Sequence, residues 1–125
     1  MNMLKIDLNN FDISKRNEIL NGNGDMEYWC QPDFAYKKRL HVYDNKNNEI
    51  GYVQYKILSS QEGIEYYDAK DNKIDFGNLG INKINKTNFS IKDNDEIIAD
   101  INEGILNIKE KTDECLLLIL GVIGE

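Results

Sequence analysis

The sequence predicts a mainly β fold: an antiparallel β-barrel or strongly curled sheet of repeated hairpins, wrapped around one hydrophobic C-terminal helix. Three observations predict it. One hairpin-like pattern occurs three times, eight or more segments alternate apolar and polar residues, and the chain runs out on ECLLLILGVIGE, residues 114–125. At 125 residues, 41% hydrophobic and 30% charged, the chain reads as one domain, 1–125, long enough to bury a core. Residues 1–24 are expected to form a peripheral N-terminal segment.

The repeated pattern comes first. It occurs as LHVYDNKNNEIGYV (40–53), IEYYDAKDNKIDFG (64–77) and FSIKDNDEIIADI (89–101). Each copy opens on apolar residues two apart, namely Leu40/Val42, Ile64/Tyr66 and Phe89/Ile91. Each then reaches an aspartate (Asp44, Asp68, Asp93), passes a short polar turn and resumes its apolar residues. Period-two alternation marks a half-buried strand. Asp and Asn bond their own backbone and tolerate left-handed conformations, so the polar clusters are hairpin turns. The aspartates stand 24 and 25 positions apart (68 − 44 and 93 − 68), which is the spacing of a structural repeat.

Further strands are expected at 27–29, 52–58 and 105–109, and the alternation of Leu4, Ile6 and Leu8 adds another. Residues 14–22, SKRNEILNG, fit either a short helix capped by Ser14 and closed by Gly22, or a strand. The turn DNKNNE after Tyr43 is rich in oxygen ligands. It lacks the residue order of a calcium-binding EF-hand loop, and no metal is expected there. Gly22-x-Gly24 has no third glycine and no βαβ setting, so it is a turn and not a dinucleotide loop.

The tail has helix signals. Thr112 is a suitable N-cap, and Asp113 and Glu114 complement the dipole of the first turn. Leucines follow, which are good helix formers. A helix over about 113–124 is ~18 Å long and apolar on every side. Such a helix must be enclosed, and it is too short to cross a bilayer. A flat sheet covers one face of it, whereas a closed or nearly closed sheet covers all. A buried final strand is the competing reading, and the leucine content and capping residues favour helix.

Net charge is −7, which disfavours contact with phosphate backbones, so nucleic acid is not an expected partner. Cys30 and Cys115 form no CxxC pair, and Cys115 lies inside the apolar tail. Both read as reduced core thiols. The opening MNMLKIDLNN has no apolar h-region, so the expected location is cytoplasmic.

The segments LHVYDNKNNEIGYVQYKI, FSIKDNDEIIADI and CLLLILGVI together resemble the tubby C-terminal-like superfamily, which includes the LURP-one-related proteins and the phospholipid scramblases. The resemblance spans about residues 25–125. It implies a barrel of about a dozen strands around a central C-terminal helix. The chain is short for that family, which implies missing strands or an open barrel. It also implies a non-catalytic binding or scaffold role. Tubby proteins bind phosphoinositides through basic residues, and here Lys37, Lys38 and Arg39, beside Tyr36, are the candidate anion or lipid head-group contact. The same three residues also suit a solvated strand edge, which the acidic net charge favours. The acylation and calcium features of scramblases have no counterpart.

No catalytic residue and no cofactor is expected. His41 is the one histidine, and its phase opposite Leu40 and Val42 turns it outward. Tyr28, Trp29, Phe34 and Tyr36 gather around Pro32, as packing or as a ligand-binding rim. The expected partner is a protein, a lipid or a small ligand, with no membrane-spanning segment, and peripheral membrane contact is not favoured. The alternative is a small acidic bacterial immunity- or antitoxin-like protein that binds a basic protein partner.

Overall fold

Hairpin chemistry sets the architecture. A computed structural model describes residues 2–33, 38–55 and 63–125. Among these, the strands are β1 (Asn2–Ile6), β2 (Asn17–Asn21), β3 (Met26–Pro32), β4 (Arg39–Asp44), β5 (Glu49–Gln54), β6 (Glu65–Asp68), β7 (Leu79–Asn85), β8 (Asn88–Asp93), β9 (Glu96–Asn102) and β10 (Ile105–Ile108). One helix follows, α1 (Thr112–Ile123). The ten strands form one sheet in the order β6-β5-β4-β3-β2-β1-β10-β9-β8-β7, with antiparallel neighbours throughout. The expected strand 52–58 is described only to residue 55, and its remainder lies outside the described residues.

Three turns share one geometry. Asp44 Oδ1 accepts from the backbone N–H groups of Lys46 (2.8 Å) and Asn48 (2.9 Å), and Asp68 Oδ1 from those of Lys70 (2.8 Å) and Asn72 (3.0 Å). Asn21 Oδ1 does the same with Asn23 (2.8 Å) and Asp25 (3.0 Å). Three positions after each anchor stands a left-handed residue: Asn47 (φ 65), Asp71 (φ 65) and Gly24 (φ 86). The true triplet is therefore Asn21, Asp44 and Asp68. Asp93 departs from it: Asp93 and Glu96 pair directly across a tighter turn, and the Asp93 carboxylate instead accepts from Lys111 Nζ at 2.8 Å. The second copy is also truncated, since after β6 only a single bridge, Tyr67 to Lys73, continues the pairing.

Two of these turns carry an acid-sensitive element. Backbone N–H donors, from Asn48 first at Asp44 and from Asn72 first at Asp68, hold both carboxylates below their ordinary value of 3.8. A folded-state value below the unfolded one stabilises at pH above the ordinary carboxylate range and is lost as pH falls through the folded value. In an Asp44→Asn/Asp68→Asn variant the amides keep the turn geometry, as Asn21 does, but do not titrate. The stability gap between parent and variant should hold steady above about pH 5 and shrink on acidification. Denaturant titrations at stepped pH read this, and a gap unchanged down to about pH 2 rules it out.

Residues 115–123 of α1 are all buried, on every side of the helix. Their neighbours in the core come from both halves of the sheet, including Ile19, Leu40, Val42, Val53, Ile91, Ile101 and Leu106. One sheet touching a helix on all its sides must curl around it, as expected. The curl stops short of a closed barrel: β6 and β7 end the sheet and do not pair with each other. Ile74 and Phe76, from the connection between those two strands, pack against the core. Phe76 meets Tyr66 edge-on, ring centroids 5.0 Å apart.

Two expectations give way. Residues 1–24 are not peripheral: β1 lies between β2 and β10 and joins the two halves of the sheet, with Leu4, Ile6 and Ile19 in the core. Thr112 is the first helical residue and not the cap. Lys111 caps in a left-handed conformation (φ 53), and its own side chain makes no capping hydrogen bond. The segment 14–22 resolves as strand β2, because Asn17–Asn21 is held between β1 and β3. At the other end of the helix, the Leu120 carbonyl accepts from the buried Tyr55 hydroxyl (2.8 Å) and from Gly124 N–H (3.0 Å).

Candidate functional site

The outer face of β3–β6 carries a second, thinner packed layer. Trp29 stacks on Tyr43 with ring centroids 4.3 Å apart, His41 leans on Tyr52 at 4.8 Å, and Tyr52 stacks on Tyr67 at 4.8 Å. Each pair sits on adjacent strands in direct register, the arrangement in which cross-strand side chains touch. Guanidinium groups cap the ladder, Arg16 over Trp29 (4.1 Å) and Arg39 over Tyr52 (4.4 Å). Tyr52 points outward, yet only 4% of it is exposed.

This layer takes up three of the residues that the sequence offers as a site, Trp29, Arg39 and His41. Arg39 Nη2 donates to Gln54 Oε1 at 2.7 Å and its guanidinium lies over Tyr52, so the side chain is engaged within the ladder. Lys38 is exposed, with left-handed backbone (φ 68), and its carbonyl accepts from Tyr55 N–H. Lys37, Phe34 and Tyr36 lie outside the described residues. His41 faces outward as its phase requires, but it is enclosed between two carboxylates: Nδ1 is 2.5 Å from Glu49 Oε1 and Nε2 is 3.2 Å from Asp33 Oδ2. The ring thereby ties β4 to its neighbours. Burial pushes the Cys30 thiol up to about 12 and the Cys115 thiol up to about 11, so neither is a thiolate nucleophile near neutrality. Among the described residues no group of three or more His, Cys, Asp and Glu is placed to hold a metal ion.

A concave feature lies elsewhere, on the outer face of β1 and β2. A groove of about 680 Å³ runs beneath the β1–β2 connection, lined by Lys5, Phe11, Lys15, Arg16 and Leu20 among others. That is within the ~300–1,000 Å³ of small-ligand pockets. A smaller recess of about 390 Å³ adjoins it and shares Asn10, Phe11 and Lys15. The connection is pinned from below by Asn17, a buried polar residue. Asn17 Nδ2 donates to the carbonyls of Asp12 (2.7 Å) and Lys15 (3.0 Å), and Asn17 Oδ1 accepts from Asp12 N–H (3.1 Å). Asp12 in turn accepts from the hydroxyl and then the backbone N–H of Ser14, which hold its carboxyl below the usual range.

Sequence reading missed the groove. Its one signal is the adjacent basic pair Lys15 and Arg16, with Lys5 ten positions before Lys15, in an acidic chain. Nothing in their spacing shows that a loop will fold back over the strands.

No family model matches the chain, and no curated protein does. Among solved structures, the X-ray structure of a protein from Arabidopsis thaliana is similar, with a TM-score of 0.60 and 10% sequence identity. The likeness covers 98% of this chain and 88% of that one. At this identity it is a likeness of fold.

Proposed function

We propose that this chain is a non-catalytic binding domain of the tubby-like kind. The observation that carries the reading is the enclosed helix: the last apolar segment is buried on every side by a single curled antiparallel sheet. That architecture is what the tubby-like resemblance implies, and the Arabidopsis likeness over 98% of the chain supports the same fold. The reactive groups lend further support. Both thiols are held protonated by burial, and His41 is engaged by Glu49 and Asp33 as a cross-strand tie. A grooved, rigidly pinned surface remains as the place where a partner is met.

A second reading rests on the net charge of −7: an acidic immunity- or antitoxin-like protein that blocks a basic protein. Purification from its own cells under low salt, followed by native mass spectrometry, separates the two. A chain recovered with a bound small ligand or lipid supports the binding domain. A stoichiometric basic protein companion supports the second reading. Turnover of an ester, phosphate or glycoside substrate by the pure chain, lost with an active-site substitution, overturns both.

A further inference from the structure

We infer that the β1–β2 groove is a binding site for a small amphipathic anion: an aromatic or aliphatic body that carries one carboxylate, phosphate or similar acidic group. The inference deepens the binding-domain reading and rests on it. It starts from charge. The chain as a whole is −7, yet the groove lining sets Lys5, Lys15 and Arg16 against Asp7 and Glu18. Arg16 and Glu18 pair with each other at 3.3 Å. Asp7 is occupied by its own loop, accepting from Asn9 N–H (3.1 Å) and Asn10 Nδ2 (2.7 Å). The ammonium groups of Lys5 and Lys15 make no ion pair with the described residues. The lining thus sets three cations against two carboxylates, an excess of one positive charge (3 − 2) in a chain of net −7. Although Asp12 acts on Lys15, neither Lys5 nor Lys15 is held in a close ion pair among the described residues, so both are placed to draw an anion into the concavity.

The rest of the lining selects an apolar body. Leu20 and Phe11 are half-buried, and Lys5 lies directly across the strand pair from Leu20, so the stem of Lys5 and the Leu20 side chain share the outer face of β1 and β2. Phe11 borders both the groove and its adjoining recess. Rigidity is built in as well, since Asn17 and Asp12 fix the loop that carries Phe11 and Lys15 through bonds that do not involve any ligand. A site ordered in advance loses less entropy when it fills.

Anilinonaphthalene sulfonate, a fluorescent aromatic anion, is the probe. Titrated into the full chain, it should bind saturably at one site. Lys5→Glu/Lys15→Glu, which reverses both cations on an exposed surface, should weaken binding about tenfold or more. Lys109→Glu, an exposed lysine next to β10, should leave it unchanged. The uncharged parent, phenylnaphthylamine, should bind more weakly than the sulfonate. Equal melting temperatures show that the variants keep the fold. Non-saturating binding, equal affinity in the double variant, or a preference for the uncharged dye overturns the site. Those outcomes leave the binding-domain reading standing, because that reading falls to substrate turnover, to a basic protein companion or to an exposed helix face, and not to the loss of this site.

Discussion

Gly51→Ala destabilises the protein by roughly 2–4 kcal/mol, far more than one methyl group suggests. Gly51 lies in β5 at φ 152, a backbone conformation that residues with a Cβ seldom adopt. Space is the second obstacle. A Cβ there meets the Tyr67 carbonyl oxygen at 2.4 Å and Leu117 Cδ1 at 3.0 Å. The carbonyl belongs to the neighbouring strand β6, so relief requires the two strands to part near the sheet's own edge. On the other side stands the helix, which is held by the core and has nowhere to retreat. Gly24 offers the matched control, since its φ is also positive but a Cβ there meets nothing within 4 Å. Gly24→Ala should therefore cost only the strain of its backbone, ~1 kcal/mol. Denaturant midpoints of the two variants check this, and equal losses at the two positions contradict the close-approach argument.

Sequence and structure agree best where one local rule decides the outcome. The helix was legible because a run such as Leu116, Leu117, Leu118 has no polar face, so enclosure is the only stable arrangement in water. Hairpins were legible through Asp44 and Asp68, whose carboxylates organise turns by themselves. Asp93 shows the limit of that rule. It has the right neighbours and nearly the right spacing, but its carboxylate is drawn to Lys111, a contact between residues 18 apart that composition does not reveal. Asn21 is the converse, an anchor hidden because an amide replaced the acid. Thr112 looked like a cap until the left-handed Lys111, tied to Asp93, took that position.

The site was less legible for the same reason. His41 is outward by phase, and phase is local, but its enclosure by Asp33 and Glu49 depends on how β3, β4 and β5 are set side by side. Arg39 looked available for an anion because a sequence does not show Tyr52 beneath it. The groove depends on Asn17 and Asp12 folding a loop back over two strands, which is tertiary information throughout.

Alanine substitutions at four successive helix positions, Leu116, Leu117, Leu118 and Ile119, each cost about 2–5 kcal/mol. The point is the absence of a silent position. Successive helical residues project about 100° apart, so four in a row sample every direction around the axis. A helix lying on a flat sheet has an outer face, and at least one of the four would then be nearly neutral. Here all four are buried, from 0% exposed at Leu116 and Ile119 to 7% at Leu118. Each removes buried methyl groups and leaves a cavity that the surrounding sheet fills only in part. The ordering should follow enclosure: Leu116 and Ile119 at the upper end, Leu118 at the lower. Urea unfolding of the four variants reads the series, with the slope of each transition checked against the parent. One position that loses less than about 0.5 kcal/mol would place a side of the helix in contact with water. In that event the helix is uncovered on that side, and the tubby-like reading, which depends on a helix enclosed on all sides, falls with it.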